Sequence, residues 1–236
     1  MGHSIFVTAT DTDAGKSFVT AGLTRALLAA GHDVRALKPV SCGHQEGELN
    51  DDVAALLSAQ GMSQAQAGKI NLYDFAAYAA PLFAAQAEGL QVEATELSTW
   101  CRQRTESHAL TMIEGVGGLM VPLAEGLLVS DWLESLPQAR VLLVVRVRLG
   151  GINQALLTLD KLNAMRRAPA WVVVNAADAQ GDEMMVDHCE AISSYLGEDS
   201  SLIRLPFMSP EGRSERYLRE SRIFKELDGW MEDMQA

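Results

Sequence analysis

At 236 residues the chain is long enough for one sizeable α/β domain, expected to span 1–236, and short for two. A composition of 48% hydrophobic and 21% charged residues is that of a globular protein, and a net charge of −12 repels phosphodiester backbones and anionic bilayers. With only scattered basic pairs such as Arg166–Arg167, this argues against nucleic-acid and membrane partners.

Three cysteines, Cys42, Cys101 and Cys189, lack CxxC spacing and suit a reducing, cytoplasmic setting rather than a disulfide or zinc framework. The five histidines show no ligand spacing and read as surface or helix residues. The start shows no signal pattern, and the longest apolar runs, such as 141–145, are too short to span a bilayer.

In chain order, strands are predicted at 4–10, 33–40, 109–115, 139–147, 170–175 and 201–207. Helices are predicted at 15–31 and 50–60, as a pair within 76–106, and at 151–167 and 181–197. Runs apolar on both faces, alternating with helices, predict an α/β fold: a single-domain parallel sheet of the P-loop type with helices on both faces. Loops are expected at 41–48, 115–128 and 206–216, each beginning at the carboxyl end of a strand, where open α/β sheets bind ligands.

The segment "TATDTDAGKS" ends like a phosphate-binding loop, but Thr10 stands where G-x-x-x-x-G-K-[ST] has its first glycine. A strand feeding the loop and a helix starting at Lys16 still make an anion site from backbone N–H groups and the helix dipole. Thr10 is acceptable there if its backbone is unstrained. Lys16 is placed to reach the β- and γ-phosphates, and Ser17 to offer a hydroxyl to magnesium. Glu114, at a strand end before "GVGG", suits a hard cation held with phosphates, whereas Asp52 follows the capping candidates Asn50 and Asp51 and reads equally as first-turn charge. Lys38 ends an apolar strand beside Pro39 and points to the same edge as Lys16, where two cations can neutralise a transferring phosphoryl group.

Six segments occur in order: "TDTDAGKS", "KPVSCG", "NDD", "EGVGGLMVPL", "LGGINQALLT" and "VVVNAAD". Together they resemble the dethiobiotin synthetases, whose own loop, T-D-T-x-V-G-K-T, also lacks the first glycine. The resemblance implies an ATP- and Mg2+-dependent ligase of biotin biosynthesis. CO2 adds to one amine of 7,8-diaminopelargonate, the carbamate attacks the γ-phosphate of ATP, and the second amine closes a cyclic urea.

By the same resemblance Thr12 and Lys38 hold the carbamate, and Ser17, Asp52 and Glu114 surround the metal. The nucleotide is expected to meet Asp13, Ala14, Gly15, Lys16, Ser17, Phe18, Asp52 and Glu114, with Gly115, Val116 and Gly117 behind them. Asn175 and Ala176 are expected at the adenine edge, and Pro206, Phe207, Met208 and Glu211 beside base and ribose. Substrate contacts extend to Cys42, Gly117, Leu149, Gly150 and Asn153, the last three reaching a neighbouring subunit's site in a homodimer. The sequence departs from the family at Cys42 (usually serine), Ala14, Tyr78, Leu82, Arg146 and Gln154. Two rivals share the ATP fold. A cobyrinate-type amide-forming synthetase needs a glutaminase domain that this length leaves no room for. A partitioning-type switch ATPase needs a second lysine where Asp11 stands.

Overall fold

In a computed structural model, residues 2–45, 47–207 and 221–235 are described. The central sheet has six parallel strands: β1 (His3–Ala9), β2 (Val34–Leu37), β5 (Leu110–Glu114), β8 (Arg140–Arg146), β9 (Trp171–Asn175) and β10 (Ser201–Leu205). Their spatial order is β10-β9-β8-β1-β5-β2.

The helices are α1 (Lys16–Ala29), α2 (Asp51–Ala59), α3 (Pro81–Ala87), α4 (Ala94–Glu106), α5 (Val129–Glu134), α6 (Gly151–Ala164), α7 (Ala179–Glu183), α8 (Met185–Ser193) and α9 (Arg222–Gln235). The crossover from β1 through α1 runs towards β2, and the one from β8 through α6 runs the opposite way, towards β9. Right-handed crossovers of opposite direction put their helices on opposite faces. The neighbours β1 and β8 therefore flank the point where the winding reverses, and the ligand crevice of such sheets opens there.

Burial explains the strand composition. Residues Val141 to Val145 are all buried, as are Ile5, Phe6 and Val7, so neither face of the central strands meets water. Phe6 packs edge-on against Trp132 at 4.9 Å between ring centres. This joins the central strand to α5, an element that the sequence reading left inside a connection.

Other elements also depart from the predicted ones. The strand at 33–40 breaks at Lys38 and Pro39. Lys38 N donates to Ile70 O at 2.8 Å instead of to β5, and Pro39 has no N–H to give a ladder. The chain leaves the main sheet there, and β3 (Val40–Cys42) pairs with β4 (Tyr73–Phe75). The loop at 115–128 contains a two-stranded ribbon, β6 (Pro122–Ala124) and β7 (Leu127–Leu128), turned at Gly126 with φ 68°. The helix at 181–197 divides at Met184 into α7 and α8. The amphipathic α9 was absent from the sequence reading.

Phe6→Ala is expected to cost about 3–5 kcal/mol, because it opens a cavity against Trp132 that neighbouring strands cannot fill. Urea denaturation monitored by tryptophan fluorescence checks this.

Candidate active site

The phosphate loop runs from the end of β1 to the start of α1. Thr10 has an ordinary negative φ, so its position makes no demand for glycine; the left-handed residues of the loop are Asp13, at φ 57°, and Gly15, at φ 96°. Thr10 N donates to Val144 O of β8 at 3.1 Å, which ties the loop to the crevice strand. Gly15 has a second constraint: a Cβ there would meet Asn175 Nδ2 at 2.3 Å. Asn175 Nδ2 donates to Ala14 O at 2.8 Å, and Arg146 Nη1 to Asp13 O at 3.3 Å. Two strand-end side chains thus brace the loop from behind.

Four charged groups meet in front of it. Lys38 Nζ donates to Asp52 Oδ2 and Glu114 Oε1, both at 2.7 Å, and to Gly115 O at 3.3 Å. Lys38 and Glu114 are almost wholly buried, at 2% and 0% exposure. Asn50 seats Asp52 by capping α2, its Oδ1 accepting from Asp52 N at 3.0 Å; Asp51 lies within the first turn rather than at the cap. The backbone of Lys38 is fixed in turn, since Asn71 Nδ2 donates to Lys38 O at 2.7 Å.

Ser17 Oγ lies 2.6 Å from Asp52 Oδ1 and 2.6 Å from Glu114 Oε1. A hydroxyl has one proton, so it can satisfy only one of two carboxylates at that distance. Glu114 Oε2 is buried without a hydrogen-bond partner among the described residues. The cluster holds more lone pairs than protons, and an oxygen-seeking cation such as Mg2+ fits that donor set. Among the described residues no group of three or more His, Cys, Asp or Glu is placed around one metal position, so the hydroxyl is needed as the third protein donor.

Electrostatics separates the two lysines. Burial, together with the Lys38 charge, pushes Lys16 down to about 8 against the pull of Glu114 and Asp52. Burial would depress Lys38 as well, but Glu114 and Asp52 in direct contact hold it well above the ordinary lysine range. Asp52 is itself held below the usual carboxylate range: burial opposes this, and Lys38 and Ser17 outweigh it. Burial pushes the Cys42 thiol up to about 12, so at neutral pH it is a small weak donor and not a thiolate.

A cavity of about 660 Å3 opens over these groups. Of the residues expected at the site, Thr12, Asp13, Gly15, Lys16, Ser17, Phe18, Lys38, Cys42, Asp52, Val116 and Gly117 line it. Glu114 stands behind them, reaching the cluster through Ser17 and Lys38. Ala14, Asn175 and Ala176 are buried behind the loop, with Pro206 and Phe207 beyond Ala176, whose N donates to Leu205 O at 2.9 Å. Met208 and Glu211 lie outside the described residues.

Leu149, Gly150 and Asn153 do not line the cavity; they sit at the start of α6, where Arg148 and Gln154 both bond Asp11 Oδ2. The sequence reading missed Tyr78, Ala79, Ala80, Pro81 and Val121, which complete the wall. The helical pair expected within 76–106 begins only at Pro81, whose missing N–H suits a first helical position, so residues 78–80 are free to wall the cavity. A Cβ on Gly43 would meet the Tyr78 ring at 2.6 Å, so that glycine admits the ring. Among the histidines, His188 proves buried within α8, with both ring nitrogens 3.0 Å from backbone carbonyls.

A charge on Lys16 that is lost near pH 8 has a measurable consequence. An anion bound at the loop favours protonated Lys16, so binding takes up close to one proton at pH 9 and few at pH 7, and affinity falls as pH rises above 8. Calorimetric titration with pyrophosphate in two buffers of different ionisation enthalpy measures that uptake.

Comparison with known proteins agrees with this architecture. A family model described as an AAA domain matches residues 3–208. Two solved structures share the fold: a ParA family ATPase from Chlorobium tepidum (TM-score 0.57, 12% identity, 98% of this chain and 99% of that one) and the septum site-determining protein MinD from Pyrococcus horikoshii (TM-score 0.59, 12% identity, 97% and 96%). Likeness at that identity concerns fold alone. The ATP-dependent dethiobiotin synthetase BioD of Anaeromyxobacter sp. (strain Fw109-5) is 32% identical over 217 residues, 92% of this chain and 96% of the relative. The protein of that name from Baumannia cicadellinicola is 37% identical over 158 residues, 65% and 68% of the two chains. With a phosphate loop that dispenses with its first glycine, a lysine pair, and this extent of identity, the chain belongs to the dethiobiotin synthetase family.

Proposed function

We propose that the chain, acting as one catalytic domain, closes a cyclic urea at the expense of ATP, converting 7,8-diaminopelargonate and CO2 into dethiobiotin. The observation that carries this reading is the meeting of Lys16, Lys38, Ser17, Asp52 and Glu114 at one end of a single cavity. That end suits phosphates and a cation. The apolar part of the lining, Val116, Val121, Ala80 and Pro81, suits an alkyl chain.

The chemistry needs no protein nucleophile. One amine adds to CO2, a carbamate oxygen displaces ADP from the γ-phosphate, and the second amine attacks the carbamoyl carbon, releasing phosphate. Each nucleophile is supplied by the substrate, so catalysis consists of positioning and of neutralising charge. Lys38 and Thr12, both on the cavity wall, hold the carbamate, and Lys38 meets the negative charge shared with the phosphoryl group. Lys16 lies along the transferring phosphate. Ser17, Asp52 and Glu114 hold Mg2+, which when bound offsets phosphate charge. The buried Oδ1 of Asn175 lacks a partner among the described residues, while its Nδ2 is spent on the loop. That free acceptor fits an exocyclic amine and supports adenine as the base. Weak acidity at Cys42 fits a hydrogen-bonding contact in the place of serine.

The reading includes a homodimer and a cytoplasmic setting. Leu149 and Leu157 are 93% and 63% exposed, and Met120, near Leu157 at the loop side of α6, is 58% exposed. Such an apolar surface calls for a cover. Gly150, left-handed at φ 83°, opens the α6 N-terminus, whose N–H groups suit the substrate's far carboxylate in the neighbouring site. Three free cysteines accord with a reducing compartment, and no helix among the described residues is long and apolar enough to cross a membrane. A switch ATPase of the partitioning type has only the fold in its favour, at 12% identity.

Product analysis by mass spectrometry with diamine, bicarbonate and MgATP tests the reading: dethiobiotin is expected, and ATP turnover without either co-substrate would overturn it. Lys38→Ala is expected to lower kcat by about 100-fold or more with KM for ATP within about threefold, since its charge is needed most in the transition state. Steady-state kinetics on a variant with native circular dichroism checks the split.

The shared site has its own test. Lys38→Ala and Asn153→Ala homodimers, each nearly inactive, are mixed under subunit exchange. Random pairing makes about half the dimers mixed, each with one intact site, so activity should return to roughly a quarter of wild type. Verified exchange without recovery would place both residues in one subunit's site.

A further inference from the structure

A second pocket, of about 340 Å3, is lined by Arg35, Lys69, Gln103, Arg104, Ser107 and His108. Arg35 is the second residue of β2, and Lys38 follows the carboxyl end of that strand, so this pocket lies towards the opposite edge of the sheet from the phosphate loop. The sequence shows only scattered basic residues; folding gathers three of them here from β2, from the end of the turn Gln64–Lys69, and from α4.

Both arginines are held by neutral groups. Arg104 lies 3.5 Å over the Trp100 ring, with Nε donating to Lys69 O at 3.1 Å and Nη1 to Trp100 O at 3.3 Å. Arg35 donates through Nε to His108 Nε2 at 3.2 Å and through Nη1 to Met62 Sδ at 2.7 Å. An arginine can only donate, so His108 accepts at Nε2, and its Nδ1–H donates to Asp33 Oδ1 at 2.8 Å.

Asp33 is the carboxylate that couples to Arg35. It is engaged by His108 and by Ala109 N, and it acts on Arg35 only at a distance. Among the described residues neither arginine nor Lys69 forms an ion pair. Burial lowers the Arg104 guanidinium below its usual range, and no carboxylate offsets it. In a chain of net charge −12, three cations around one cavity with no direct carboxylate contact are a local reversal of sign.

We propose that this pocket is a second anion site, distinct from the phosphate loop, where Arg104, Lys69 and Arg35 take a small phosphate-bearing anion. Two guanidinium groups held in place and one ammonium, brought from three separate elements, suit an oxyanion with several acceptor oxygens such as phosphate. The volume, about half that of the main cavity, suits inorganic phosphate or a small phosphate ester rather than a nucleotide.

The test titrates inorganic phosphate into the full chain at constant ionic strength by calorimetry, in a Lys16→Ala background that disables the phosphate loop whatever that loop binds. Saturable binding is expected, weakened about tenfold or more by Lys69→Ala and by Arg104→Gln. Lys69 is exposed, so an unchanged thermal midpoint separates its effect from misfolding. Absence of saturable phosphate binding, or binding that neither substitution alters, would overturn the site. Tighter binding of succinate than of phosphate would overturn the ligand class.

Discussion

The buried contact between Lys38 and Glu114 is the interaction around which the rest is arranged. Both groups are removed from water, and a buried ion pair seldom repays its desolvation as stability. Its worth lies in geometry. Glu114 ends β5, Lys38 follows β2, and Asp52 lies in the first turn of α2, so three separate elements must be seated before the charges can meet. The fold answers with fixed backbone: Asn71 and Ile70 hold the Lys38 peptide, and Asn50 caps α2 beneath Asp52.

The same contact makes the two lysines different tools. Lys38 is locked in its charged form by two carboxylates. Lys16 sits in the same low-dielectric region with a cation as neighbour and a pKa brought down to about 8. A phosphate chain therefore finds one lysine whose charge responds to its arrival and one whose charge is fixed beforehand by carboxylates. Ser17, with one proton between two carboxylates, leaves the cluster short of positive charge. A divalent cation and a polyphosphate relieve opposite deficits in the one cavity.

The loop shows how a motif can lose a residue and keep its purpose. The left-handed backbone lies at Asp13 and Gly15, not at Thr10, and only Asp13 carries a Cβ there. Arg146 and Asn175 hold the carbonyls of Asp13 and Ala14 from behind, so the bend is enforced by neighbouring strands as well as by glycine.

The sequence by itself determined the alternation of strands and helices, the parallel sheet, the phosphate loop and the family. These rest on local periodicity and on contiguous motifs, which need no knowledge of distant contacts. It also singled out Lys38, Asp52 and Glu114, although Asp52 read equally well as a helix-capping charge until Ser17 and Lys38 were seen to touch it. Only the tertiary structure decided the break of the second strand at Pro39, the apolar wall from Tyr78 to Pro81, and the gathering of Arg35, Lys69 and Arg104 into one pocket. Each depends on contacts between residues 30 or more apart, such as the Lys38 N–H with Ile70 O, or the Tyr78 ring with Gly43. Spacing along the chain encodes a face of a helix or strand; it does not encode which two faces the packed core will bring together.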